Sequence, residues 1–107
     1  MATKYFFFVL TIAAVALEAA GDIFFKKWVG AHRASFLIIG LLVYFFGTVF
    51  WALSLRYELL SKAISIFTIL NLIVIVLVGT LVFSEHLTTL NKLGIALGVV
   101  SIILLEL

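Results

Sequence analysis

The sequence contains no cysteine and no proline, and only 11% of its 107 residues are charged. The absence of cysteine excludes disulfides, thiolate metal sites and cysteine nucleophiles. Without proline, no helix of this chain can carry a proline kink. Its seven lysines and arginines are scattered among apolar residues, so they make no footprint for nucleic acid.

Hydrophobic residues make up 66% of the chain, which excludes an intrinsically disordered protein. Average soluble domains are only about 45–50% apolar. A chain this short also leaves much of its surface outside, because small domains bury a smaller fraction of it. The solvent for so much exposed apolar surface is lipid, so the composition predicts a membrane protein.

Four apolar segments are each long enough to cross a bilayer, which takes about 20 helical residues. They cover residues 5–25, 35–55, 63–83 and 87–107. The connections between them are short, so consecutive helices should be antiparallel neighbours. We expect an all-α fold: one four-helix domain over residues 1–107, in an inner or plasma membrane. The first segment is longer than the apolar region of a signal peptide, about 7–15 residues, so we interpret it as a retained helix.

The charges that flank the spans give almost no preference for one orientation. Counting lysine and arginine on the two sides of the membrane gives Lys4, Arg56 and Lys62 against Lys26, Lys27, Arg33 and Lys92. A chain without a charge preference can insert both ways and form an antiparallel homodimer, the two-chain equivalent of an inverted repeat. The alternative is one fixed orientation, set by factors outside this count.

Two acidic residues lie inside the first span. Glu18 lies a little beyond its centre, and Asp22 follows one helical turn later on the same face. An acid at the centre of a membrane helix costs about 2.5–3.5 kcal/mol on insertion scales, and such residues usually mark ion or substrate pathways. One carboxyl binds a proton or a cation but not both, which is the minimum chemistry of an antiporter. The alternative for Glu18 is a structural role, protonated and hydrogen-bonded to another helix.

Asp22 has two interpretations. Lys26 lies four residues further along the helix, so the two can form a simple ion pair. If Asp22 instead shares a cavity with Glu18, the titrations of the two carboxyls are coupled. The sequence leaves both open.

Several other polar side chains lie inside the spans. Asn71 either crosses to another helix or lines a cavity, because a buried amide needs partners, and Tyr44 has a hydroxyl that can donate a hydrogen bond to Glu18. We expect most of the hydroxyl residues to bond across to neighbouring helices. These residues are Thr11, Thr48, Ser65, Thr68, Thr80 and Ser101.

Two pairs of glycines are regularly spaced within the spans. Gly94 and Gly98 form a Gly-x-x-x-Gly motif in the last span, which we interpret as a dimer contact. Gly40 and Gly47 are seven residues apart and share one face of the second span. No phosphate loop, metal-ligand spacing or catalytic set accompanies these features, so we expect no enzyme, no cofactor and no metal site.

The stretch Leu17-Glu18-Ala19-Ala20-Gly21, followed by Lys26, resembles the first helix of the small multidrug resistance family, within the drug/metabolite transporter superfamily. The resemblance extends over nearly the whole chain in length and in number of spans. It places Tyr44 on a tyrosine of that family's second helix. The segment Phe83-Ser84-Glu85-His86 is similar to the turn before the last helix, and also to the EamA-type halves of the superfamily.

The resemblance implies an antiparallel dimer in which two glutamates face one shared cavity. Protons are exchanged there for cationic or polyaromatic compounds, for guanidinium-type ions or, in divergent members, for polyamines and lipid-linked sugars. Glu18 would be the proton and substrate site, and Tyr44 would line the cavity. Ile64 and Phe67 stand where the family has a tyrosine and a tryptophan, and the segment ending at Asn71 replaces its glycine-rich hinge.

Three functional hypotheses follow. The first is a proton-coupled exporter of small, cationic or amphiphilic compounds that works as a homodimer, with Glu18, Asp22, Tyr44, Phe67 and Asn71 binding protons and substrate. The second is a lipid-carrier or polyamine translocation subunit, because the tyrosine and tryptophan that form the family's aromatic platform are missing and a second acid is present. The third is a membrane module that assembles with a partner and transports nothing.

Overall fold

The computed structural model of the protein describes residues 2–107. This range is almost entirely helical and contains no strand, which confirms the all-α prediction. Four α-helices follow one another along the chain: α1 (Ala2–Ala31), α2 (Ala34–Ser54), α3 (Leu60–Leu81) and α4 (Thr89–Glu106). A single 3-10 turn, Leu55–Tyr57, follows α2.

Each of the four described helices is long and apolar enough to cross a membrane. They fit a multi-pass membrane protein, as the sequence predicted. The first helix is longer than the predicted span of residues 5–25 and continues through Lys26 and Lys27 to Ala31. Hydropathy marks only the apolar part of a helix, whereas lysines continue a helix readily, so the span and the helix end at different residues.

Local chemistry fixes several helix ends. The hydroxyl of Thr88 accepts a hydrogen bond from the Asn91 amide at 3.1 Å, and the Asn91 side chain accepts one from the Thr88 amide. This reciprocal cap begins α4 at Thr89, two residues after the predicted start of its span. His32 and Ser84 have positive φ values of 57° and 54° and lie just beyond the ends of α1 and α3, where a left-handed residue commonly terminates a helix.

The described chain divides into two compact units, one ending at Glu58 and the other beginning at Leu59. In the first unit, α1 and α2 run antiparallel and pair along their length. Near one end the rings of Phe24 and Phe36 are 6.3 Å apart, and near the other the rings of Phe6 and Tyr57 are 5.7 Å apart. The unit is therefore a helical hairpin whose 3-10 turn also lies against α1.

The α1–α2 hairpin is closest where two glycines meet. A Cβ atom on Gly21 would lie 3.1 Å from the carbonyl oxygen of Gly40, and one on Gly40 would lie 3.1 Å from that of Gly21. The two backbones therefore touch, which larger side chains at these positions would prevent. Gly40 and Gly47 are both buried, which confirms that they share the packed face of α2.

The second unit consists of α3 and α4. Ala63, Ile66 and Gly79 are buried in α3, whereas none of the residues of α4 is buried. A Cβ atom on Gly98 would make an ordinary contact of 3.4 Å with Ile69 of α3, and one on Gly94 would meet nothing within 4 Å. Within this unit, α3 therefore leaves most of the surface of α4 open.

Candidate functional site

Glu18 lies on the buried face of α1. Its exposed fraction is only 7%. One of its carboxyl oxygens, Oε2, is buried and has no hydrogen-bond partner among residues 2–107. Buried polar groups almost always have a partner, and leaving one without a partner costs about 1–3 kcal/mol. The unpartnered Oε2 therefore marks Glu18 as a candidate functional residue.

The apolar part of the Glu18 side chain rests on α2 at Gly47. A Cβ atom at that position would come within 2.8 Å of Glu18 Cγ, 3.2 Å of Leu17 Cβ and 3.3 Å of the carbonyl oxygen of Ala14. Because glycine has no side chain, α2 approaches closely enough to hold the glutamate against α1. The sequence placed Gly47 on this face of α2 but did not connect it to Glu18.

Asp22 follows Glu18 by one turn of α1 and is half-buried. The two carboxyls are close enough for their charges to interact, as the spacing of four residues predicts. The arrangement therefore gives one short stretch of helix two ionisable groups. Whether Asp22 serves Glu18 or pairs with Lys26 stays a prediction.

Tyr44 of α2 is the third predicted residue in this unit. It is half-buried, and its hydroxyl interacts electrostatically with both Glu18 and Asp22. Its ring lies 5.8 Å from the ring of Phe25. Gly21 makes this position available, because a Cβ atom on Gly21 would lie 2.9 Å from Cδ2 of Tyr44. The α1–α2 hairpin thus places the Tyr44 hydroxyl near the carboxyls of Glu18 and Asp22.

The remaining predicted residues belong to the second unit. Phe67 and Asn71 lie four residues apart on α3, and both are half-buried. The side-chain oxygen of Asn71 is buried and has no hydrogen-bond partner in the described chain. Gly94 of α4 is exposed and Gly98 is partly buried. Their roles in binding and in dimer contact stay predictions.

The expectation that hydroxyls bond to neighbouring helices is wrong for most of them. Hydroxyls on α2, α3 and α4 donate back to a carbonyl one turn earlier in the same helix, because serine and threonine readily satisfy themselves in this way. These bonds are Thr48 to Tyr44, Ser65 to Ser61, Thr80 to Val76 and Ser101 to Leu97. Thr11 is different: it is fully buried and its Oγ1 has no partner among the described residues.

The first unit can offer negative charge and hydrogen-bonding oxygens to a positively charged group. Among residues 2–107, no three histidine, aspartate or glutamate side chains lie together in an arrangement that could hold a metal ion. A carboxyl in apolar surroundings can be neutralised either by a proton or by a nearby positive charge. The sequence matches no protein-family model, and no curated protein and no solved structure is similar enough to count as a match.

Proposed function

We propose that this protein is a proton-coupled exporter of small cationic compounds that works as an antiparallel homodimer in a cell membrane. The observation that carries the proposal is the carboxyl of Glu18, which is almost completely buried in an apolar helix and has an oxygen without a hydrogen-bond partner among the described residues. The resemblance of its surroundings to the small multidrug resistance family agrees with this function.

The exchange of a proton for a cation follows from the chemistry of the Glu18 carboxyl. Low-dielectric surroundings make an isolated carboxylate costly, so the carboxyl holds either a proton or a cation that neutralises it. A cation that arrives must displace the proton, and a proton that arrives must displace the cation. Transport of the two in opposite directions then follows if the site opens to each side of the membrane in turn.

The open surface of α4 supports the dimer. No residue of this helix is buried in the chain, and Gly94 faces nothing within 4 Å. Small residues let membrane helices approach each other closely. A second copy that packs here would cover a surface of α4 that α3 leaves open. The near balance of basic residues on the two sides allows that copy to have the opposite orientation.

The proposal is tested by transport in proteoliposomes with an imposed pH gradient. Guanidinium, ethidium and spermidine serve as probes, and Glu18→Gln is compared with Glu58→Gln, which makes the same chemical change outside the four α-helices. We expect gradient-driven movement of at least one probe in the wild type and in Glu58→Gln, and none in Glu18→Gln. Undiminished transport by Glu18→Gln would contradict the proposal. A wild type that moves none of the probes would favour the non-transporting assembly module.

Asp22 favours a second candidate, a transporter of polyamines. Two carboxyls one turn apart match a substrate with two or more ammonium groups better than a single charge. The variant Asp22→Asn should then reduce spermidine transport more than guanidinium transport. An equal effect on both probes would remove the reason for this candidate.

A further inference from the structure

A cavity of about 450 Å³ lies in the second unit, where the chain passes from α3 to α4. Three ionisable side chains border it: Glu85 and His86 from the connecting loop, and Lys92 from α4. Another part of its wall is apolar and includes Val76 and Ile95. The volume is within the usual range of small-molecule sites, about 300–1,000 Å³. The candidate site of the first unit uses none of these residues, so the cavity is a separate feature of the protein.

The loop holds Glu85 against the end of α3. The backbone amide of Glu85 donates to the carbonyl of Gly79 at 3.0 Å, after a turn in which Ser84 has a φ of 54°. The carboxyl also lies against α3, because Gly79 has no side chain: a Cβ atom there would collide with Oε1 of Glu85. The acidic group of the cavity is therefore placed by the backbone of the loop and by a glycine of the helix.

The cavity lies at the depth where lipid headgroups meet acyl chains. Both helices are candidate membrane spans, and α3 ends at Leu81 while α4 begins at Thr89, so we place the loop between them at a surface of the bilayer. With a rise of 1.5 Å per residue, Val76 and Ile95 lie about 7–9 Å deeper along their helices than these ends. The polar part of the cavity is thus near the surface, and its apolar part reaches toward the hydrocarbon.

The charges of Glu85 and Lys92 match a ligand that carries both signs. Glu85 lies by the end of α3 and Lys92 near the start of α4, so each has the same sign as the dipole of its own helix end. A carboxylate attracts a cation that donates hydrogen bonds, and an ammonium attracts a phosphate. The hydroxyl of Thr80 donates to the carbonyl of Val76 at 2.9 Å and can still accept a hydrogen bond. A headgroup that joins a phosphate to a primary ammonium satisfies all three groups.

We propose that this cavity binds a phospholipid of the phosphatidylethanolamine class. Lys92 binds the phosphate, with a ring N–H of His86 as a further donor, and Glu85 and Thr80 accept hydrogen bonds from the ammonium. The acyl chains leave along the apolar wall into the bilayer, which favours a lipid over a soluble compound with the same headgroup. This binding goes beyond the proposed exchange at Glu18, and neither depends on the other.

The test compares two lipids that differ in the methylation of one nitrogen. The full-length protein is extracted from vesicles with equal amounts of phosphatidylethanolamine and phosphatidylcholine, which have the same acyl chains, and the lipids retained per chain are counted by native mass spectrometry. Choline has methyl groups in place of N–H donors, so it cannot donate to Glu85. We expect the wild type to retain phosphatidylethanolamine over phosphatidylcholine by about tenfold, the effect of losing a hydrogen bond to a charged group.

Two variants assign the two halves of the headgroup. Glu85→Gln should remove most of the preference between the lipids, and Lys92→Gln should lower the retention of both by about tenfold, because it removes the charge that binds the phosphate. Glu58→Gln and Lys62→Gln are the matched controls, since they make the same changes of charge near the opposite end of α3. Both controls should retain lipid as the wild type does.

Four results would overturn the inference. The first is equal retention of the two lipids by the wild type, a comparison that needs no variant to fold. The second is an equal loss in the variants and in their controls. The third is displacement of the retained lipid by an equimolar amount of soluble glycerophosphoethanolamine, which would mean that the cavity takes the headgroup alone. The fourth is unchanged lipid retention in Lys92→Gln together with weaker dimerisation, which would mean that a second copy covers the cavity. Because no cation and no pH gradient is used, each of these leaves the exporter proposal standing.

Discussion

Gly47 of α2 lies directly against the side chain of Glu18 of α1, so closely that a Cβ atom at position 47 would come within 2.8 Å of Glu18 Cγ. The apolar part of the Glu18 side chain therefore packs against the backbone of α2 at this position. The position of the group that we propose to exchange protons thus depends on the absence of a side chain one helix away.

Replacing Gly47 with alanine should therefore displace Glu18. The new methyl group would also approach Leu17 Cβ and the Ala14 carbonyl oxygen, which a side-chain rotation cannot relieve. We expect a loss of about 1–3 kcal/mol in the free energy of unfolding, as for other overpacked sites, together with impaired transport. Thermal unfolding in detergent and the proteoliposome assay measure the two effects.

The matched control for that variant is Gly30→Ala. A Cβ atom on Gly30 meets nothing within 4 Å, and alanine stabilises a helix relative to glycine by up to about 1 kcal/mol. The control should unfold at the same temperature as the wild type or slightly higher. If Gly47→Ala behaves like Gly30→Ala, the contact with Glu18 does not constrain the site.

The dimer contact is tested at Gly94. Gly94 is exposed, and a Cβ atom there meets nothing within 4 Å, so we expect a leucine side chain to extend from the surface of α4 without disturbing its packing on α3. If Gly94 packs against a second copy, Gly94→Leu should reduce dimerisation measured by energy transfer between labelled chains in liposomes. Ala96→Leu, on another face of α4, is the control. Equal dimerisation in both variants would place the contact elsewhere.

The antiparallel arrangement predicts that the chain inserts in both orientations. A reporter fused to the C-terminus should be active on both sides of the membrane in cells. One lysine added to the loop between α1 and α2 should shift the population toward a single side, because the natural count of basic residues is nearly balanced. A reporter that stays on one side despite added lysines would contradict an antiparallel dimer of identical chains.

The helical fold could be predicted from the sequence because it depends on long apolar runs. Residues 35–55 were predicted as the second span, and α2 covers Ala34–Ser54. The end of α1 could not be predicted as well, because hydropathy falls at Lys26 while the helix continues to Ala31. Helix ends depend on individual residues such as His32, whose positive φ of 57° has no clear mark in the sequence.

A residue of the candidate site could be predicted from the sequence where placing its side chain in a membrane costs a large free energy. Glu18 stands out because a charge is expensive in lipid. Thr11 does not, because most hydroxyls in membrane helices bond to their own backbone, and only the packed structure shows that its Oγ1 is buried without a partner among the described residues. Gly47 matters because it has no side chain, which lets α2 pack closely against Glu18. The sequence alone does not show which residue of α1 lies opposite it.

The central claim is that the Glu18 carboxyl exchanges a proton for a cation. Its most direct test is proton release on addition of guanidinium, ethidium or spermidine to the protein in lipid nanodiscs, followed with a pH-sensitive dye in weakly buffered solution. The account predicts that the wild type releases protons in proportion to the bound cation, and that Glu18→Gln releases none. Proton release by Glu18→Gln equal to that of the wild type would contradict it.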